Sequence, residues 1–170
     1  MTARYIISLS AVVFLLVGSA HAGQNKDQKY ESPDGKYIAY VMDVTTTPYG
    51  SGESKLIIKT KQGKTVCSKS YRSQDGEHGF GVEKAAWTPD SHFFVYSMSS
   101  SGGHRAWHLP TYAISTHDLK IRSLDGYLGP ITDPDFELDS PDIFKTAGRD
   151  KVTLQEAKFI IELNQLIKKK

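Results

Sequence analysis

A single cysteine, Cys67, is all that 170 residues carry, so no disulfide can form within the chain and packing and hydrogen bonds must hold the fold. Long apolar runs are equally scarce. Past the first twenty residues nothing approaches the ~20 apolar residues of a membrane-spanning helix, so no span is expected in the body of the chain. Charge of one sign is missing too: 21 Lys and Arg face 19 Asp and Glu, without the concentrated basic stripe that marks a nucleic-acid binder. The one local cluster, Lys168-Lys169-Lys170, reads as a solvated chain end. Familiar catalytic motifs are also lacking. There is no Gly-x-Ser-x-Gly elbow, no His-Glu-x-x-His pair and no phosphate-cradling glycine loop. Ser, His and Asp are plentiful, so a triad assembled only by folding stays open.

What is present begins with a secretory signal pattern over residues 1–22. Arg4 supplies the positive end, Tyr5 to Val17 form an apolar run broken by Ser8 and Ser10, and Ala20-His21-Ala22 offers a small-x-small cleavage site. No Cys follows that site, so a lipoprotein anchor is not expected. Removal leaves 170 − 22 = 148 residues, one domain that can bury about two thirds of its unfolded surface. The mature net charge is +1, since Arg4 leaves with the signal and 20 bases remain against 19 acids. Cys67 lies in the alternating run Thr65-Val66-Cys67-Ser68-Lys69 and reads as a small strand residue rather than a nucleophile.

One phrase is written twice. Tyr30-Glu31-Ser32-Pro33-Asp34-Gly35-Lys36-Tyr37-Ile38-Ala39-Tyr40 is followed, 89 − 33 = 56 positions on, by Ala86-Trp87-Thr88-Pro89-Asp90-Ser91-His92-Phe93-Phe94-Val95-Tyr96. In each, Pro presets the turn, a hydroxyl residue and Asp flank it with side chains that bond nearby backbone, and a β-rich run follows. Gly35 takes a positive φ more cheaply than Ser91, so the first turn is expected to be the tighter. The phrase resembles the PD40 (WD40-like) repeat of bacterial β-propellers of the TolB-like periplasmic class, in which Ser-Pro-Asp-Gly precedes a strand. The resemblance implies a partial propeller, protein–protein contacts and an envelope location. It covers about residues 27–125. Ser140-Pro141-Asp142 repeats the turn, but Ile143-Phe144-Lys145-Thr146 does not continue as a sustained strand and is not counted.

The expected fold is therefore all-β with a C-terminal helix. Residues 23–125 should form two four-stranded antiparallel blade-like sheets. Their strands are expected near 28–31, 36–44, 54–60 and 65–71, then 82–87, 92–99, 111–116 and 119–124. Residues 126–170 form a proline-rich acidic segment and a helix. Thr153-Leu154-Gln155-Glu156 has the form of a capping box. From it a helix over 154–168 would carry a narrow polar stripe at Gln155, Lys158, Glu162 and Gln165, the rest apolar. That helix is expected to cover the open side of the two sheets.

Candidate chemistry sits in Gly102-Gly103-His104-Arg105-Ala106-Trp107-His108-Leu109-Pro110. In an extended chain His104 and His108 share one face and can ligate a metal with carboxylates from elsewhere, while Arg105 and Trp107 share the other and suit a planar or anionic ligand. The alternative is a loop whose Trp107 packs into the core and whose histidines bond backbone. Asp133, Asp135, Glu137 and Asp139 line one face of a second stretch. They suggest a calcium surface or, more simply, a solvated face with Phe136 and Leu138 turned inward. The function expected is an exported, non-enzymatic binding or scaffolding module, periplasmic or secreted, with His104, Arg105, Trp107 and His108 contacting an envelope protein or small ligand. No cofactor is called for. The alternatives are a small hydrolase or metal-dependent enzyme centred on His104 and His108, and a structural protein that self-associates to complete a propeller. Cleavage between Ala22 and Gly23 is the first expected outcome. N-terminal sequencing of the exported protein should read Gly-Gln-Asn, and a mature chain that begins at Met1 would refute it.

Overall fold

Two equivalent turns set the architecture of the computed structural model, which describes residues 27–45, 52–102 and 107–168. The signal segment lies outside these residues. Ser32 Oγ donates to Asp34 Oδ1 and accepts from Tyr37 N at 3.0 Å; Thr88 Oγ1 donates to Asp90 Oδ1 and accepts from Phe93 N at 3.0 Å. Gly35 N donates to Ser32 O at 2.8 Å and Ser91 N to Thr88 O at 2.9 Å. The expected difference in tightness is not found: Gly35 has φ 67° and Ser91 φ 65°. The reason is tertiary. Buried Ser91 accepts at Oγ the backbone N–H of Asp34, 2.9 Å away in the other turn, and this contact holds it in the left-handed region.

Each turn joins the first two strands of a sheet. β1 (Gln28–Glu31), β2 (Tyr37–Asp43), β3 (Ser54–Thr60) and β4 (Thr65–Ser70) form a four-stranded antiparallel sheet in sequence order. β5 (Phe80–Trp87), β6 (Phe93–Ser100), β7 (Thr111–Ser115) and β8 (Ile121–Ser123) repeat it. These are the two four-stranded sheets expected from the repeated phrase, and Cys67 lies in β4 as a strand residue. A short helix, α1 (Leu124–Leu128), follows with Ser123 as its N-cap.

The C-terminal third departs from expectation. β9 (Glu137–Asp139), β10 (Ile143–Arg149) and β11 (Glu156–Glu162) form a third antiparallel sheet, and Ser140-Pro141-Asp142 is its first turn, with Asp90 N donating to Pro141 O at 3.2 Å. The discounted third phrase is thus structural. The helix expected over 154–168 is a strand over Glu156–Glu162; only α2 (Gln165–Lys168) is helical. No capping box forms. Asp150 Oδ1 instead accepts from Val152 N, Thr153 N and Thr153 Oγ1 in a hairpin loop, Leu154 sits at φ 57°, and Glu156 pairs with Arg149 across the hairpin. Ala157, Phe159, Ile161 and Leu163 alternate with Glu156, Lys158, Ile160 and Glu162. A period of two wins because a sheet edge is available and Phe and Ile suit it.

The second sheet is the middle layer. Phe94, Tyr96 and Met98 pack toward Ala39, Val41, Leu56 and Ile58 of the first sheet. Phe93 and Val95 pack toward Phe144 and Leu163, with Phe159 and Ile161 against them. The segment expected to cover the open side does so, as a strand rather than a helix. Between the first two sheets Trp87 Nε1 donates to Tyr30 O at 3.0 Å, and its ring stacks with Tyr37 and meets Phe94.

Ser91 tests the turn-to-turn bond. Ser91→Ala loses the acceptor for Asp34 N–H and keeps the positive φ, at about 1–2 kcal/mol. Ser91→Gly loses the same bond but relaxes the backbone, so it should be the milder by ~1 kcal/mol. Urea unfolding of both variants measures this, and an Ala variant as stable as Gly would contradict it.

Candidate functional site

Opposite the Ser/Thr-Pro-Asp turns, the loops between strands gather around one carboxylate. Glu53, fully buried at the start of β3, comes from the polar break before that strand. Its Oε1 accepts from Ser73 Oγ at 2.6 Å, Gly79 N at 2.8 Å and Ser101 Oγ at 3.1 Å, and its Oε2 from Ser73 N at 3.2 Å. Burial pushes the Glu53 carboxyl up, but the donors from Ser73, Ser101 and Gly79 outweigh it and hold the group below the ordinary glutamate range. Gly79 is required here: a Cβ would lie 2.3 Å from Glu53 Oε1 and 2.4 Å from Tyr71 O. Ser101 N donates to Gly79 O at 2.9 Å. One carboxylate thereby ties the first sheet, the link to the second, and the start of the 101–110 loop.

On that link Asp75 and His78 form an exposed pair, Oδ2 to Nδ1 2.6 Å. The Asp75 bond raises the His78 pKa, while backbone N–H groups and His78 hold Asp75 well below the carboxylate range.

The 101–110 loop carries the residues singled out by sequence. His104 and Arg105 lie outside the described residues, as does any shared face of His104 and His108. Trp107 is 65% exposed, so it is not the core residue of the simpler reading. Its ring meets His108 edge-on at 4.4 Å between centroids. His108 is half-buried, with Nε2 3.6 Å from Asp125 Oδ2 and a buried Nδ1 that has no hydrogen-bond partner among the described residues. Asp125 in α1 is itself held, accepting at Oδ1 from Ser123 Oγ at 2.8 Å and Thr111 N at 3.4 Å. Beyond His108, Leu109 N donates to Ile131 O at 2.7 Å.

The acidic stretch is the solvated face. Phe136 is 2% exposed and Leu138 packs beside it in the second core. Asp135 reaches Lys84 at 3.5 Å, Asp139 pairs with Lys145, and Asp133 accepts the Asp135 N–H. Among the described residues no three His, Cys, Asp or Glu side chains converge where a metal could sit, and no helix is long and apolar enough to cross a membrane. Sequence reasoning missed Glu53, Ser73, Ser101 and Asp125. None is marked by a local motif, because each is tied into the site by a bond to a residue 14–48 positions away.

The fold belongs to the class of stacked, blade-like antiparallel sheets. No family model matches the chain, and no curated protein does. Among solved structures it is similar to puromycin hydrolase, at 13% identity and TM-score 0.43 over 81% of this chain and 20% of that one. It is also similar to TolB from Acinetobacter baumannii, at 16% identity and TM-score 0.36 over 78% of this chain and 32% of that one. The chain thus spans a fifth to a third of those proteins' length.

Glu53→Gln should cost ~2–4 kcal/mol at neutral pH, since buried donors from Ser73, Gly79 and Ser101 lose a charged acceptor. The sign with pH follows from the lowered pKa. The stabilisation is present above the ordinary glutamate value of 4.5 and is lost as pH falls through the folded value. Wild type and variant should therefore converge in acid. Urea melts across pH check this; a gap that stays constant would refute it.

Proposed function

We propose that the protein is an exported, non-enzymatic binding module that captures a protein of the bacterial envelope on the loop end of its sheets, with Trp107 as anchor. The observation that carries this reading is an indole 65% exposed on a loop held at both ends. Ser101 is bonded to Glu53 on one side; His108 faces Asp125 and Leu109 is bonded to Ile131 on the other. Trp is enriched among the residues that dominate binding energy, and the fixed positions of Ser101, His108 and Leu109 lower the entropic cost of association. The signal pattern over residues 1–22 and the resemblance of residues 32–40 to PD40 repeats support an envelope location. His104 and Arg105, three and two positions before Trp107 in sequence, are included in the proposal as residues that contact the same partner.

The His108–Asp125 pair favours a second reading, a small hydrolase in which Asp125 orients His108 as base. The pair is long at 3.6 Å, and no described hydroxyl or thiol bonds the imidazole, so the binding reading is the better supported. Trp107→Ala separates them. It should leave stability within about 0.5 kcal/mol and cut partner capture from an envelope extract about tenfold or more. Unfolding curves and a quantitative pull-down measure both. Undiminished capture refutes the anchor, and ester turnover abolished by His108→Ala would favour the hydrolase.

A further inference from the structure

Among the described residues the stack of three sheets ends in two open faces, and those faces differ. On the first sheet Ile38, Tyr40 and Met42 point away from the core, beside Ile57. Moving 56 positions along, the same places in the second sheet are Phe94, Tyr96 and Met98, which are buried against the sheet before them. The outer face of the first sheet therefore has the residues of a packing face, with half-exposed side chains where its counterpart has a neighbour. Around its apolar centre stand Lys29, Lys55 and Lys59 against Glu31, a net charge of 3 − 1 = +2. Lys59 Nζ lies over the Tyr40 ring at 5.4 Å.

At the far end, the outer face of the third sheet presents Ile143, Ala147 and the 66%-exposed Ile160 in its middle. Glu137, Asp139, Glu156 and Glu162 surround them. Lys145, Lys158 and Arg149 share the face, leaving 3 − 4 = −1. One end is apolar and cationic, the other apolar and anionic. Two copies of the first face would set lysines against lysines; the first face against the third sets opposite charges together.

We infer that two copies of this chain associate through these faces, the first sheet of each on the third sheet of the other, to close a ring of six sheets about a two-fold axis. Stacked sheets of this kind close when roughly four to eight surround a centre, so three per chain make two copies sufficient. A two-fold axis makes both junctions equivalent and leaves no open face for further growth. The loop end carrying Trp107 takes no part, so failure of the ring leaves the binding reading untouched, and the reverse.

Sedimentation equilibrium of the purified protein tests this, and the expected mass is twice that of one chain. Lys55→Glu with Lys59→Glu should weaken the dimer by on the order of 100-fold, and Glu137→Lys with Glu156→Lys should do the same. All four side chains project outward from their sheets, so both variants should keep the wild-type β-sheet circular dichroism, and their unfolding midpoints should fall only by the stabilisation that dimerisation supplied. An equimolar mixture of the two should restore the dimer, because each reversed face then meets its complement. A monomer at about 100 µM, ten times a typical 10 µM weak-dimer constant, overturns the proposal. So does open-ended growth. A dimer that survives the Glu137 and Glu156 reversals but not the lysine reversals would mean that first sheets pair with each other, which also overturns it.

Discussion

Everything in this fold depends on β6 being buried on both sides. From Phe93 to Met98 every residue is inaccessible, with Phe94, Tyr96 and Met98 toward one neighbouring sheet and Phe93 and Val95 toward the other. Each such side chain contributes about 1.5–3 kcal/mol by leaving water. Neither neighbour can be removed without exposing one of the faces. The polar cost is contained: the Tyr96 hydroxyl is bonded to Tyr71 at 2.5 Å, and burial pushes the Tyr71 phenol up to about 12.

Sheets stacked only by side chains could slide, and polar staples at both ends oppose this. At the turn end, Asp34 N donates to Ser91 Oγ and Asp90 N to Pro141 O, so each turn is bonded to the next. At the loop end, Glu53 gathers three segments into one buried network. The two ends differ in consequence. The turn end is short and closed by its own hydroxyl–Asp pairs, whereas the loop end fixes Ser101, His108 and Leu109 and leaves Trp107 exposed. Exposed Trp107 stands above that fixed base.

Much of the β architecture was legible because its signals are local. Ser32-Pro33-Asp34-Gly35 and Thr88-Pro89-Asp90-Ser91 contain their own turn chemistry, and the strands after them are rich in Tyr, Ile, Phe and Val. The third sheet was less legible. Ile143–Arg149 puts only Thr146 and Gly148 beside Phe144 on its inward face, which dilutes the apolar strand pattern. Residues 154–168 fit a helical polar stripe as well as an alternating one. Of the site, Trp107 and His108 could be singled out because they are unusual neighbours. Glu53 could not, since an acidic residue in a polar break looks solvated until Ser73, Gly79 and Ser101 surround it.

The sequence by itself determined where the chain turns, which runs alternate, that no internal disulfide can hold it, and that Phe136 and Leu138 face opposite to their acidic neighbours. These follow from bonds and steric limits within a few residues. Tertiary structure alone decided that Ser91 adopts the same left-handed conformation as Gly35 and that Glu156–Glu162 is a strand. It also decided that Glu53 is an internal staple and that Trp107 is outside. Each depends on a partner remote in sequence: Asp34 for Ser91, β10 for β11, Ser101 for Glu53. The free energy of those contacts exceeds the few tenths to one kcal/mol by which local propensities differ.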